Sequence, residues 1–345
     1  MARTTKAETS ASPAATELQP SIWVVGSTMV DMIAYTARIP SAGETLVGDR
    51  FDLGFGGKGA NQSVIAARLG ARVTLVNAVG DDAFGEMTLA NLRAEEIDIS
   101  HVVALEGERT GAAPIWVEPD GTNRILVIPG ANGRMDPDAA AAAVSGATDA
   151  DVVVGQLEIP QAVTSAAFGA ARARGATTIL NPAPAADLQR TLLDATDWLV
   201  PNEVEFAHLA AAFGIDAADP TDGGALRAVV DATGTGLVVT LGAAGAVAVD
   251  RAGRFVRTPV ARVDVVDTTG AGDAFVGAFA YAIACGTDLA VSIQLACALA
   301  SDSARRPGTQ RSFPSAAACI QIAAGFGVRR RVTRSGHSAS GAEVR

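Results

Sequence analysis

An aspartate stands in the first turn of a helix whose start reads as an anion site. The segment is Val265-Val266-Asp267-Thr268-Thr269-Gly270-Ala271-Gly272-Asp273-Ala274-Phe275. A β-branched apolar run ends in a small-residue turn, and that turn opens a helix over about 272–285. Exposed N–H groups there, with the positive end of the helix dipole behind them, suit a phosphate or a developing oxyanion. A site that only bound phosphate would favour a neutral or basic residue at position 273. The carboxylate of Asp273 has a use if it takes a proton from a hydroxyl about to attack the phosphate. It would also complement the helix N-terminus, and this segment alone does not separate the two roles.

A second glycine-rich stretch carries the other half of a possible reaction. It reads Gly54-Phe55-Gly56-Gly57-Lys58-Gly59-Ala60-Asn61-Gln62. The chain holds 25 Arg and two Lys, and the other lysine, Lys6, lies near the N-terminus. In a composition so skewed to arginine, an ordinary surface lysine would have been replaced, so Lys58 is expected to do chemistry. The flanking glycines let the backbone approach a ligand or take positive φ. Asn61 and Gln62 then open an amphipathic helix running to about Leu69. Polar recognition of a hydroxylated small molecule fits this set.

Elements that would position these groups alternate along the chain. Short buried strands are expected at residues 22–26, 72–79, 152–155, 177–181, 198–200 and 237–241, with Ala-rich helices such as 161–174 and 224–232 between them. That rhythm predicts an α/β fold with a mainly parallel sheet covered on both faces. Residues 33–52 and 110–127 instead alternate without helices and predict a small antiparallel sheet, placed as a lid. Asp31, Glu158, Asn181, Asn202, Glu205 and the run Thr240-Leu241-Gly242-Ala243-Ala244-Gly245 all follow strands. Open α/β sheets bind ligands at that edge, although each residue taken singly also suits a cap or turn.

Composition excludes other classes. With 345 residues, 49% of them hydrophobic, the chain can bury a large core. A formal charge of −10 argues against a nucleic-acid partner. No apolar run is long enough to span a membrane. Residues 1–20 and the basic stretch 329–345 read as disordered tails around one domain, 21–328. Three cysteines without paired or metal-like spacing suit a reducing cytoplasm.

The two glycine motifs together resemble the signatures of the PfkB, or ribokinase-like, carbohydrate kinases, over about residues 22–327. Gly26-Ser27-Thr28-Met29-Val30-Asp31, Gln156-Leu157-Glu158, Asn181-Pro182-Ala183-Pro184-Ala185 and Gly308-Thr309-Gln310 are most similar to the ribokinase branch. The resemblance implies a three-layer α/β/α sandwich with a β-sheet lid at about 32–54 and 109–129. It implies ATP-dependent phosphorylation of D-ribose at O5, and a homodimer formed through the lid. Asp273 would be the general base and Gly270, Ala271 and Gly272 the anion hole. Ser27, Met29, Asp31, Gly56, Gly57, Lys58, Gly59, Asn61 and Glu158 would line the sugar pocket. Asn202, residues 240–245, Gly272 and Cys297 would meet the nucleotide, and Glu205 would act on Mg²⁺ indirectly. Asp267, Thr269, Ser303, Arg306, Gly308 and Ser312 would hold an activating K⁺, with the Arg306 guanidinium pointing away. Departures are Met29, where many bacterial ribokinases carry a sugar-contacting Asn, Val276 for an Asn, and Cys297 for a His. Other acceptors (deoxyribose, a ketose, a nucleoside such as adenosine) and a non-catalytic sugar- or nucleotide-binding regulator remain alternatives.

Overall fold

The computed structural model describes residues 16–147, 149–329 and 331–333. Its spine is a nine-stranded sheet in the order Phe255–Thr258, Ala246–Val249, Gly236–Thr240, Trp198–Leu199, Thr177–Leu180, Val152–Gly155, Ser21–Val25, Arg72–Gly80, Asp98–Leu105. Strands from Gly236–Thr240 through Asp98–Leu105 run parallel. Among the described strands of this sheet, Ala246–Val249 alone runs the other way, antiparallel to both its neighbours, Gly236–Thr240 and Phe255–Thr258.

Burial on both faces explains the continuous apolar strands. In Ser21–Val25, Ile22 and Val24 pack into one core, while Trp23 and Val25 pack into the other. The first core takes in helices Lys58–Arg68, Ala271–Ala284 and Leu289–Ser303. The second takes in Pro137–Gly146, Gln161–Ala173, Glu203–Ala212 and Gly223–Thr233. This is the expected three-layer arrangement. The strands Asp98–Leu105, Ala246–Val249 and Phe255–Thr258 were not expected from sequence.

A separate four-stranded sheet has the order Arg50–Gly56, Met29–Tyr35, Ala112–Val117, Asn123–Ile125. The expectation that it is antiparallel needs correction, because Met29–Tyr35 and Ala112–Val117 pair in parallel. The two outer strands, Arg50–Gly56 and Asn123–Ile125, pair antiparallel with their neighbours, so the sheet is mixed. Within the stretches expected to be disordered, Thr16–Leu18 and Arg331–Thr333 form an antiparallel pair. Residues 1–15 and 334–345 lie outside the described residues.

Candidate active site

Two helices deliver the central groups. Ala271–Ala284 starts after Gly270, whose φ of 78° is left-handed. A Cβ there would stand 3.0 Å from Thr309 Cγ2, so glycine is required for both conformation and space. Lys58–Arg68 starts after Gly57 at φ 86°, where a Cβ would lie 2.6 Å from Thr28 Cα. The helices approach closely at Gly277, since a Cβ on it would meet Gln62 O at 2.5 Å. That approach lets Asn61 and Gln62 reach Asp273.

Asp273 is buried, at 6% exposure, yet both its oxygens are engaged. Asn61 Nδ2 donates to Oδ2 at 2.8 Å, and Gln62 Nε2 donates to Oδ1 at 3.1 Å. Lys58 Nζ stands 3.9 Å from Oδ1. Burial opposes the charge on Lys58, but Asp273, Glu158 and Glu205 outweigh it and hold the ammonium above the ordinary lysine range. A carboxylate fixed at both oxygens beside a cation, in the first turn of a helix, has the geometry of a base facing an anion site.

A second acidic cluster adjoins the first. Glu158 Oε2 accepts from Ser27 Oγ at 2.5 Å and from the Lys58 backbone N–H at 2.9 Å. Asp31 is buried in the small-sheet strand Met29–Tyr35, and Thr309 Oγ1 donates to it at 3.3 Å. Burial pushes Asp31 up to about 6, against the Thr309 bond and with help from the negative charges of Glu158 and Asp273. Gly56 has to be glycine, because a Cβ would stand 2.5 Å from Asp31 Oδ1. Met29 is buried beside Gly57.

On the other side of the helix start lies a cavity of about 820 Å³. Its lining brings together Asn202, Thr240, Gly242, Ala243, Gly245, Gly272 and Cys297, residues from the turns after two strands, the start of helix Ala271–Ala284 and the middle of helix Leu289–Ser303. Leu241 and Ala244 are not among the lining residues; Leu241 is buried beneath the turn and Ala244 is exposed. Asn202 also caps helix Glu203–Ala212 in a reciprocal capping box with Glu205. Both Glu205 oxygens accept from Asn202, at 2.8 and 3.0 Å. Burial raises Glu205 above the usual carboxylate range, opposed by the Asn202 backbone bond and the Lys58 charge. Burial alone lifts the Cys297 thiol to about 12, so it lines the cavity as an un-ionised group.

Against this geometry, known proteins can be compared. The family model described as pfkB family carbohydrate kinase matches residues 19–316. The chain belongs to the pfkB family of carbohydrate kinases. It is 39% identical to the ribokinase of Mus musculus over 299 residues, 85% of this chain and 92% of that protein. It is 38% identical to the deoxyribokinase of Salmonella typhi over 295 residues, 85% and 95% of the two chains. The structure of Arabidopsis thaliana ribokinase complexed with ribose and ATP matches with a TM-score of 0.80 at 28% identity, covering 88% of this chain and 99% of that one.

In this pfkB-family chain the residues expected at a cation site also form one cluster. Asp267 accepts from Thr269 N–H and Gly308 N–H, each at 2.9 Å. Burial opposes its charge, yet these bonds hold it below the usual carboxylate range. Arg306 N–H donates to Ser303 O at 3.2 Å, and Ser312 Oγ donates to Thr309 O at 2.7 Å. The Arg306 guanidinium, expected to point away, instead donates to Ser312 O at 2.8 Å and pairs with Asp302. With Asp302 one helical turn before it, the side chain folds back onto the loop it was expected to avoid.

Several participants had no assigned role in the sequence reading. Gln62 holds Asp273; Thr309 reaches Asp31; Thr268 and Phe275 line the large cavity. Gln62 directly follows Asn61 in the glycine motif, and Thr309 lies in the quoted Gly308-Thr309-Gln310 run, so adjacency to a motif was the available signal. Thr268 and Phe275 flank the anion turn and gave the same signal.

Proposed function

We propose that this sugar kinase transfers the γ-phosphoryl group of ATP to O5 of D-ribose, giving ribose 5-phosphate. The observation that carries the proposal is the placement of Asp273. Its carboxylate, held by Asn61 and Gln62, lies between the polar cluster of Ser27, Asp31, Lys58 and Glu158 and the cavity lined by Asn202, Thr240 and Gly272. Sugar hydroxyls are bound by Asp31, Asn61, Glu158 and the backbone of residues 56–59. The primary hydroxyl gives its proton to Asp273 as it attacks phosphorus. Amides of Gly270, Ala271 and Gly272 face the charge on the transferred phosphoryl.

The nucleotide occupies the large cavity, with Cys297 and Phe275 on its apolar side. Mg²⁺, entering with ATP, neutralises phosphate charge when bound. Glu205 acts toward it indirectly, since its oxygens are engaged by Asn202. Oxygen donors of the 267–269 turn and the 303–312 loop, other than the Ser312 carbonyl that the Arg306 guanidinium occupies, would hold a large, weakly hydrated cation such as K⁺ and so stiffen the anion-hole turn. The small sheet closes over the sugar and forms a homodimer; exposed Phe51, Ile125, Leu126, Val127 and Ile128 on and beside it support that. A cytoplasmic site of action agrees with three unpaired cysteines.

One observation favours a second reading, 2-deoxyribose. Met29 is buried and carries no hydrogen-bonding group to match a ring hydroxyl, and deoxyribokinase stands as near in identity as ribokinase. A coupled assay of ATP turnover with ribose, 2-deoxyribose, fructose and adenosine decides. The highest kcat/KM is expected with ribose; a higher value with 2-deoxyribose would transfer the assignment to the second reading.

A further inference from the structure

Gln310 takes no part in the chemistry above, yet it is buried at 6% exposure and sits in the middle of a directional chain of amides. Asn91 Nδ2 donates to Gln310 Oε1 at 2.9 Å, Gln310 Nε2 donates to Asn61 Oδ1 at 3.0 Å, and Asn61 Nδ2 donates to Asp273 Oδ2 at 2.8 Å. The polarity of this chain is set at its end. A carboxylate only accepts, so Asn61 has to present its NH₂ to Asp273 and its oxygen to Gln310. Gln310 then has to present its NH₂ to Asn61 and its oxygen to Asn91. The Gln310 backbone is fixed as well, since Arg68 Nη1 reaches its carbonyl at 3.4 Å and those of Phe313 and Pro314 at 3.2 and 3.3 Å.

The Asp273 carboxylate favours this orientation, and the donor from Gln310 reinforces it. An Asn side chain turned by half a rotation would have the same shape and would set an oxygen against the Asp273 carboxylate. We propose that Gln310 is a positioning residue for phosphoryl transfer: by occupying the Asn61 oxygen with a donor, it keeps the Asn61 NH₂ on Asp273 and the base correctly aimed. The proposal rests on Asp273 being the base. A second line, Gln156 Nε2 to Gln62 Oε1 at 2.6 Å and Gln62 Nε2 to Asp273 Oδ1, orients the other oxygen. That line leaves Oδ2 dependent on the Gln310 arm alone.

Reversing the polarity of the chain tests this more sharply than cutting it. Gln310→Glu keeps shape and hydrogen-bonding capacity but offers Asn61 an acceptor. Asn61 then turns its NH₂ to the new carboxylate and its oxygen to Asp273. Gln310→Met only removes the contact. The expected order of kcat is wild type, then Gln310→Met, then Gln310→Glu, with the last lowered about 10–100-fold, the effect of losing a hydrogen bond to a charged group. The KM for ATP stays within about twofold, as no nucleotide contact changes. A merely structural role gives the opposite order, because Glu is the closer isostere.

Asn91→Asp, on a half-buried helix position away from Asp273, repeats the reversal from outside should Gln310→Glu not fold. It is expected to lower kcat more than Asn91→Ala does. Equal kcat for Gln310→Glu and wild type, or a Gln310→Met enzyme slower than Gln310→Glu, would overturn the proposal. If Gln310→Glu does not fold, an Asn91→Asp enzyme no slower than Asn91→Ala would do the same. Asp273→Asn run alongside separates the two ideas: full turnover by that variant removes the base, whereas its inactivity beside a fully active Gln310→Glu removes only the relay.

Discussion

Asp267 and Gly308 are joined across 41 residues of chain by a 2.9 Å hydrogen bond from the Gly308 N–H to Oδ2. The other oxygen of Asp267 accepts from Thr269 in its own turn. One carboxylate therefore ties the anion-hole turn to the loop that reaches Asp31 through Thr309 and Asn61 through Gln310. Asp267→Ala is expected to loosen both. Replacing Na⁺ by K⁺ at constant ionic strength should raise the wild-type rate several-fold, and Asp267→Ala should abolish that response. Equal wild-type rates in Na⁺, K⁺ and a bulky organic cation would remove the cation from the account.

Asp273→Asn keeps the size of the side chain and removes the proposed base. Turnover should fall by roughly 10²–10⁴-fold with little change in nucleotide affinity. Steady-state kinetics paired with ATP-analogue titration measure both quantities, and near-wild-type turnover would sink the mechanism.

The buried carboxyl of Asp31 gives stability a dependence on pH. Its folded value of about 6 lies above the usual 3.8, so the fold favours the neutral form. That contribution is complete below about pH 4 and is lost as pH rises through about 6. Asp31→Asn stays neutral throughout. The melting temperature of the variant minus that of the wild type, both without sugar, should grow between pH 4 and 7 and then level off. A difference that stays flat over this range would contradict the assignment to Asp31.

Glu158 joins Ser27 to the Lys58 backbone at the proposed sugar side of the site. Glu158→Ala is expected to raise the KM for sugar far more than that for ATP. Parallel increases in both would show that the residue only supports the fold.

Gly57→Ala combines a left-handed φ with a contact of 2.6 Å to Thr28 Cα. The strain should cost roughly 1–3 kcal/mol of stability. Chemical denaturation reads this directly, and an unchanged midpoint would mean that the turn relaxes without penalty.

Much of this architecture was legible in the chain. Val152–Gly155 reads as a strand because three valines in a row suit a position covered on both faces, and the run before Gly270 announces its turn by composition. Ala246–Val249 was missed although it is just as apolar, since it follows Gly245 with no helix between and falls outside the alternating rhythm. The parallel pairing of Met29–Tyr35 with Ala112–Val117 was equally hidden. Residue type does not encode strand direction. Asn61 and Asp273 were found because each sits in a dense local motif. Gln310 was quoted only as part of a likeness. Its partners Asn61 and Asn91 lie 249 and 219 residues away, and no local pattern records a contact of that range.

The close approach of the two helices at Gly277 bears on how the enzyme comes into being. Asn61 and Asp273 are 212 residues apart in sequence, and the loop that steadies them follows later still. During synthesis, the residues of the polar cluster emerge long before Asp273 is made. A nascent or truncated chain ending before residue 310 would hold the polar cluster of Ser27 and Glu158 without a finished base. The contacts that align the Asp273 carboxylate with the polar cluster are therefore complete only once the segment through residue 310 has been made.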